Sequence, residues 1–589
     1  MGHLDVALIG LGPRGLSVLE RLLVRLHAAP PDGTVTIWAF DSVEHGAGRI
    51  WRTDQPSWLA ANTSASEVSI HSSDSPLLPG NGDHPHSMVD WAGLEPHQYP
   101  SRPLYGRYLV QAFDELRASA PRGVLVRPIL QEVTKLTRGA TGQLWVTTES
   151  LEVRIDKAVI ATGHPRLEPT PEENALRAHA DRHPGTRYIG PGLAAEMPLE
   201  EIPPGDIVAV RGLGLTFYDL ARSMTIGRGG RFVNGHGDAL RYVPSGQEPR
   251  LVAGSRSGLP FLARPALSRS PDAPSRPSVL TEERLRCARE TAMAVRGSPQ
   301  LDFATEIEPL IELEASAQYG RLRGHVDSVL KLADPFGGMR FAGMGAFRRK
   351  LTRLLCNDVR EAGKGILGSP EKAATETLRM IRPFLASVVD FGGLLPHSHD
   401  DFLSRFVPAS FILSAGPPAS HVAQLAALLE AGVVDVVGPE VRVRPEPGTG
   451  GFTIGSPRVQ GSERLARTLV EARTPATDVS RDTAPLIRRL LADGMVSEHI
   501  TTDPATGRSC RAGGLAVTPA PYHVIRADRV PDPDIHALGV VTDGARWFTQ
   551  VGSGRPGQDS PFHRDADAIA ASILNSSGVN RDVRAAAPR

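Results

Sequence analysis

Three glycines near the start of the chain, Gly10, Gly12 and Gly15, stand in G-x-G-x-x-G spacing, with Pro13 and Arg14 between the last two. That spacing suits the holding of a pyrophosphate. The first glycine permits a tight turn, the second lets backbone approach the phosphates, and the third lets a helix pack on a strand. The flanking residues supply the strand and the helix. Residues 6–9 are an apolar run, and Leu16, Leu19, Leu22, Leu23 and Leu26 recur at helical spacing. Strand, glycine turn and helix in that order are the context a dinucleotide fingerprint requires. The helix N-terminus then faces the phosphates. A second apolar run, residues 34–41, ends at Asp41, where ribose hydroxyls are expected to be held.

A second turn of this kind lies at Gly212 and Gly214, with Thr216 inside it and Phe217 where a third glycine would stand. At the end of its next strand, Ser255, Arg256 and Ser257 replace the acid. An arginine there suits a 2′-phosphate, which favours NADPH over NADH. Between the two turns, residues 155–163 form an apolar strand ending in Ala161-Thr162-Gly163, placed to return beside the first turn. Two dinucleotide folds with such a returning strand point to FAD in the first and NADPH in the second. Gly48 would let backbone lie against a flat ring, Trp51 gives aromatic surface, and Gln55, Asn62 and Thr63 offer uncharged hydrogen bonds. Residues 535–543 read as a late strand ending at Asp543, near the flavin's ribityl and phosphate region.

Composition narrows the rest. The chain has 589 residues, with Lys+Arg and Asp+Glu at 65 each, so no global charge argues for nucleic acid or an acidic membrane. The three cysteines, Cys287, Cys356 and Cys510, contain no C-x-x-C, which disfavours a redox-active disulfide and suits a reducing cytoplasm. No apolar run approaches the roughly 20 residues of a membrane helix, and no signal peptide is visible. The expected location is cytoplasmic. His84 and His86, and the pair His397 and His399, lack the remaining ligands of a metal site, so no metal is expected.

The elements that must position these residues predict an α/β chain: two Rossmann-like domains with a helical insertion. The expected division is an FAD-binding domain over 1–200, an NADPH-binding domain over 201–265, and a helical insertion capping the substrate over 266–405. The NADPH domain resumes over 406–505, with strands at residues 411–414 and 433–437. The FAD domain closes over 506–578, and a disordered tail covers 579–589.

Several of these features together carry a resemblance: the first glycine turn, Gly48 with residues 51–56, Asn62-Thr63, Arg102 with residues 105–108, Ala161-Thr162-Gly163, Gly212-Leu213-Gly214 and Glu471-Ala472-Arg473. The chain resembles the bacterial FAD/NAD(P)-binding protein family. Within it, the chain is similar to the actinobacterial flavin-dependent N-monooxygenases that form nitrosuccinate. The resemblance implies FAD, NADPH and O₂, and oxidation of the primary amine of a small amino acid, with L-aspartate the first choice. It implies a flavin hydroperoxide guarded in a dry pocket. Cationic partners for substrate carboxylates are sought among Arg49, Arg102 and Arg340. Two alternatives stay open: a flavin oxidase or dehydrogenase with another acceptor, and a non-catalytic FAD/NAD(P)-binding regulatory protein.

Overall fold

The computed structural model describes residues 2–75, 87–235, 240–266, 277–321, 328–557 and 560–576. His84, His86 and the expected tail lie outside the described residues. Two sheets organise the chain. The first runs, edge to edge, His523–Ile525, Pro531–Ala537, Lys157–Ile160, His3–Ile9, Thr34–Asp41 and Val124–Leu130. All neighbours pair parallel except the antiparallel edge strand His523–Ile525. The central strand is buried on both faces, as an uninterrupted apolar run requires; Val6, Ala7 and Leu8 are fully enclosed. Helices Pro13–Ala28 and Pro561–Ser576 pack against each other beside this sheet.

The second sheet runs Val434–Val436, Arg250–Gly254, Ile207–Arg211, Thr468–Glu471 and Arg187–Ile189, all parallel. Its edge strand Arg187–Ile189 therefore comes from the segment expected in the first FAD portion. At the other end, Val479, Leu486, Ile487, Leu490 and Val496 pack in the core of the first sheet. The chain has thus returned to the first fold well before residue 506.

The insertion is helical, but it is no separate cap. Helices Glu282–Arg296, Glu308–Arg321, Met344–Gly363, Pro370–Met380 and Arg382–Val389 share one continuous core with the second sheet. Residues 411–414, expected as a strand, belong to helix Val407–Ser414. The segment is rich in apolar residues with no preferred face, so no period distinguishes helix from strand, and Pro408 at its first turn favours helix. The late strand also stops early: Pro531–Ala537 is extended, whereas Val540–Thr542 is a 3₁₀ turn. Among the described residues, no helix is long and apolar enough to cross a membrane.

Candidate active site

The two glycine turns are built alike. Gly10 N–H donates to Phe40 O at 2.9 Å, and Gly212 N–H donates to Gly254 O at 2.9 Å. Gly10 has φ +93° and Gly212 φ +123°. A Cβ on Gly10 would meet Ala161 O at 2.4 Å, and one on Gly212 would meet Ala472 O at 2.6 Å. Both positions therefore require glycine twice over, for backbone conformation and for space. Ala472-Arg473 stands in the second fold where Ala161-Thr162 stands in the first, an equivalence the sequence pattern did not disclose.

The first turn fits a dinucleotide. Gly12 caps helix Pro13–Ala28 without a side-chain hydrogen bond, Pro13 opens it, and no acid lies in its first turn. That leaves a helix end suited to an anion. A Cβ on Gly15 would lie 2.0 Å from Gly10 O, and one on Gly48 would lie 3.0 Å from Gly12 Cα. Gly214 likewise caps Leu215–Thr225 with no side-chain hydrogen bond and no acid in the first turn. Elsewhere, Ser101 and Thr170 fill this role with hydroxyls. Phe217 N–H donates to Gly214 O at 3.1 Å, and its ring is fully buried in the second core.

Asp41 is buried at the first turn. Its carboxylate accepts from Leu11 N–H at 2.8 Å, Val43 N–H at 2.8 Å and Glu44 N–H at 3.2 Å. It braces the turn from the end of the second strand. Arg14 points away toward the closing helix. Its guanidinium donates to Asp565 Oδ2 at 2.8 Å and lies over the Phe562 ring at 5.1 Å. Gln55 is spent on the loop itself, donating to Ile50 O at 2.8 Å and Arg52 O at 3.1 Å. Thr162 is exposed and Gly163, at φ +76°, faces open space. Burial pushes the Asp543 carboxyl up to about 6, against hydrogen bonds from Thr549 and Thr477. Tyr105 and Tyr108 are core residues; Tyr105 Oη donates to Gly552 O at 2.6 Å.

In the second fold, Ser255 Oγ accepts from Gly258 N–H at 3.0 Å and lies 3.3 Å from Ser257 Oγ. Arg256 is exposed, and no ion pair holds it among the described residues. Thr216 is half-buried near the helix start.

A small cleft of about 60 Å³ lies between the loop after the first fold's second strand and the helix that follows the second glycine turn. Trp51, Ala60, Ala61, Asn62 and Arg102 line one side, Leu215, Tyr218 and Asp219 the other, and Pro417, Pro418 and His421 close it. Thr63, next to Asn62, is half-buried. Trp51 stands edge-on to Tyr105, ring centroids 4.6 Å apart. Arg102 pairs with Asp219 across the cleft. Burial holds Asp219 above its usual range despite Arg102 and Arg222, and burial with Arg222 brings His421 down to about 3. Of the other arginines sought for substrate, Arg49 is bound by Glu196 at 2.7 Å, and Arg340 is exposed against Pro457 O at 3.4 Å. The structure brings neither into the cleft.

A cationic group that sequence reading missed borders the cleft. Arg264 N–H donates to Pro417 O at 3.0 Å, and its Nη1 donates to Asn62 O at 2.6 Å. Its Nη2 donates to the buried Glu67 at 2.8 Å. Arg379 donates to Glu67 at 2.6 Å and to Glu376 at 2.6 Å, and Arg555 reaches Glu67 at 3.1 Å. Burial works against ionised Glu67, yet Arg264, Arg379 and Arg555 hold its carboxyl far below the usual range. Arg382 is buried beside them, stacked over Phe548 at 4.6 Å and Phe411 at 5.4 Å. Burial first, then Arg379 and Arg264, pulls it down to about 9. Among the described residues, no three His, Cys, Asp or Glu side chains converge as a metal site.

Residues 7–165 match the FAD-NAD(P)-binding family model. Curated relatives extend over nearly the whole chain. An L-aspartate N-monooxygenase (nitrosuccinate-forming) of Streptomyces davaonensis is 37% identical, over 98% of this chain and 98% of its own. A nitrosuccinic acid synthase of Aspergillus oryzae is 34% identical, over 98% of this chain and 93% of its own. A second L-aspartate N-monooxygenase (nitrosuccinate-forming), from Streptomyces cremeus, is 35% identical over 97% and 95%.

Proposed function

The chain belongs to the family of nitrosuccinate-forming N-monooxygenases built on FAD-NAD(P)-binding folds, and from that premise we propose that it oxidises the amino group of L-aspartate to nitrosuccinate with NADPH and O₂. The observation that carries this reading is the pair of like-built glycine turns, one in each parallel sheet. One fold holds the electron donor and the other the oxidising cofactor, with the substrate amine between them.

Bound FAD, reduced by NADPH, supplies the activation of O₂ that the amine oxidation needs. The protein supplies the rest. Gly10, Gly12, Pro13 and Gly15 hold the pyrophosphate of FAD at the first helix, and Asp41 keeps that turn closed while offering its remaining lone pair to the ribose. Arg14 holds the closing helix against the site. Gly48, Trp51, Gln55, Asn62 and Thr63 shape the loop beside the ring, and Thr162, Gly163 and Asp543 border the ribityl chain. Gly212, Gly214 and Thr216 take the NADPH pyrophosphate. Ser255, Arg256 and Ser257 take the 2′-phosphate. Burial of the cleft favours the neutral, nucleophilic form of the substrate amine.

The deciding experiment is a panel of amino acids scored for stimulated NADPH oxidation, with mass detection of nitroso or nitro product. L-Aspartate is expected to give both. A response to another amine with none to aspartate would overturn the substrate, and a colourless protein that binds no FAD would overturn the class. A narrower test concerns Arg256. Arg256→Ala is expected to raise the KM for NADPH about ten-fold, the scale of one charge-assisted contact, and to leave the KM for NADH nearly unchanged. Steady-state kinetics with both nucleotides reads the difference. Equal effects on the two would place the 2′-phosphate elsewhere.

A further inference from the structure

Two stretches of the first fold reach across to the second. Residues 58–62 lie along residues 100–102: Ala61 N–H donates to Pro100 O at 2.9 Å, and Arg102 N–H donates to Leu59 O at 2.8 Å. Both are anchored in the first fold, because helix Arg102–Ala118 buries Tyr105, Tyr108 and Leu109 in its core. They meet helix Leu215–Thr225, which starts at Gly214 and buries Phe217, Leu220 and Met224 in the second core. Three bonds join the two sides. Arg102 pairs with Asp219. Arg222 Nε donates to Trp58 O at 2.8 Å, and Trp58 Nε1 donates to Ser223 Oγ at 3.1 Å. The Trp58 indole also lies against Gly227, just past the helix, where a Cβ would stand 2.8 Å from Cζ2. Arg264 holds the same loop further along, through Asn62 O at 2.6 Å and Glu67 at 2.8 Å, and its neighbours Leu262 and Ala263 lie in the second core.

These bonds do more for geometry than for stability. A buried ion pair gains little over a well-packed apolar pair, and fixing one arrangement among several is its best-attested use. The Arg102 and Asp219 side chains are 16% and 10% exposed, and both stand on helices. Asp219 follows Gly214 by about 7–8 Å along the helix axis, at 1.5 Å per residue. The pair therefore holds this helix near the end proposed to take the NADPH pyrophosphate. Trp58, Arg222 and Ser223 hold it near the other end, so it can neither tilt nor slide against the loop. That loop carries Asn62 and Thr63, proposed to lie beside the flavin ring. Reaction between two bound groups punishes misplacement, and about 1 Å can cost about 100-fold in rate.

We propose that Arg102, Asp219 and Trp58 clasp the two nucleotide folds together, and that Arg102 and Trp58 are positioning residues for reduction of the flavin by NADPH, setting the turn at Gly214 against the loop beside the flavin ring. The inference deepens the proposed function and rests on it for where the two cofactors sit. It does not depend on which amine is oxidised. It gives Arg102 a part in the reductive step rather than a substrate carboxylate to hold.

The test is single-turnover reduction of the FAD-bound protein by NADPH, without O₂ and without any amine. Arg102→Met and Gly227→Ala are each expected to lower the limiting rate of reduction by about 30-fold or more, while the Kd for NADP⁺ stays within about three-fold. Gly227 has no left-handed φ, so its alanine acts by displacing the Trp58 indole. The double variant Arg102→Met/Asp219→Asn removes both charges together. It is expected to regain the urea stability that Arg102→Met loses, but not the rate of reduction. A pair with a structural role alone would regain both. Hydrogen exchange gives a readout apart from turnover. In Arg102→Met the amides of 58–62 and of 215–225 are both expected to exchange about ten-fold faster, although only the first fold carries the substitution. Reduction at the wild-type rate in Arg102→Met and Gly227→Ala, or loosening of the substituted side alone, overturns the clasp. Should Arg102→Met lose its flavin, Gly227→Ala decides. Failure of the functional reading looks different. If NADPH does not reduce the wild-type flavin, that reading falls, and the paired loosening of the two folds still decides the clasp.

Discussion

Replacing Gly212 by alanine is expected to leave a yellow protein that NADPH no longer reduces. The added methyl would stand 2.6 Å from Ala472 O on a backbone at φ +123°. Both the contact and the conformation are unfavourable, so the second turn must open and lose its fit to the nicotinamide dinucleotide. The first turn shares no backbone with it and keeps its flavin. A fall in the rate of NADPH-driven flavin reduction on the order of 100-fold corresponds to about 2.7 kcal/mol, a modest demand for a clash of this size. Rapid-mixing absorbance at the flavin band measures it, and dithionite should still bleach the variant fully. Reduction by NADPH at the wild-type rate would show that the hydride donor does not use this turn. The mirror substitution, Gly10→Ala, should instead yield protein without flavin.

The Asp565→Ala variant is expected to be the least stable of the single substitutions. Asp565 Oδ2 accepts from Arg14 at 2.8 Å and from Arg546 at 2.7 Å, and its Oδ1 accepts from Tyr522 Oη at 2.7 Å. Burial opposes its charge, but Arg14 and Arg546 keep the carboxyl below its usual range. Both arginine side chains are only 12–13% exposed, so deleting the carboxylate strands the buried Arg14 and leaves Arg546 only its longer contact to Asp390 at 3.5 Å. Breaking a buried pair from one side typically costs about 3–5 kcal/mol. Urea unfolding of the flavin-bound protein should show that loss, with earlier flavin release. A shift within about 1 kcal/mol would put the network in the class of solvated surface pairs.

What was legible in the sequence was what local sterics dictate. Gly10, Gly15 and Gly212 announce themselves because no other residue fits their backbone or the space beside it. The apolar strands and leucine-spaced helices were equally plain, because burial on one or both faces leaves a period. Features set by distant neighbours were not. Asp41 has the residue type and place of a ribose ligand, but its bonds to Leu11, Val43 and Glu44 exist only once the strand end reaches the turn. Arg14 lies inside the motif yet serves a helix more than 500 positions away. Arg49 and Arg102 looked available until Glu196 and Asp219 folded onto them. Arg264, Arg379, Arg382 and Arg555 were indistinguishable from other arginines in a chain with 65 basic residues. Their convergence depends on the insertion joining the second core, which no segment encodes alone.

The contact between the first and last helices also governs how this chain is made. Arg14 and Asp565 are 551 residues apart, and the strand Pro531–Ala537 that flanks Lys157–Ile160 is likewise synthesised near the end. At ribosomal speeds of about 5–20 residues per second, the first sheet waits roughly half a minute to two minutes for its covering helix. During that interval the face that Pro561–Ser576 will shield is open on the ribosome, while the second sheet, whose last strand ends at Glu471, can already assemble. The later fold in sequence is thus free to finish first, and the flavin-binding half is the stage at which nascent chains are most exposed to aggregation and most in need of a chaperone.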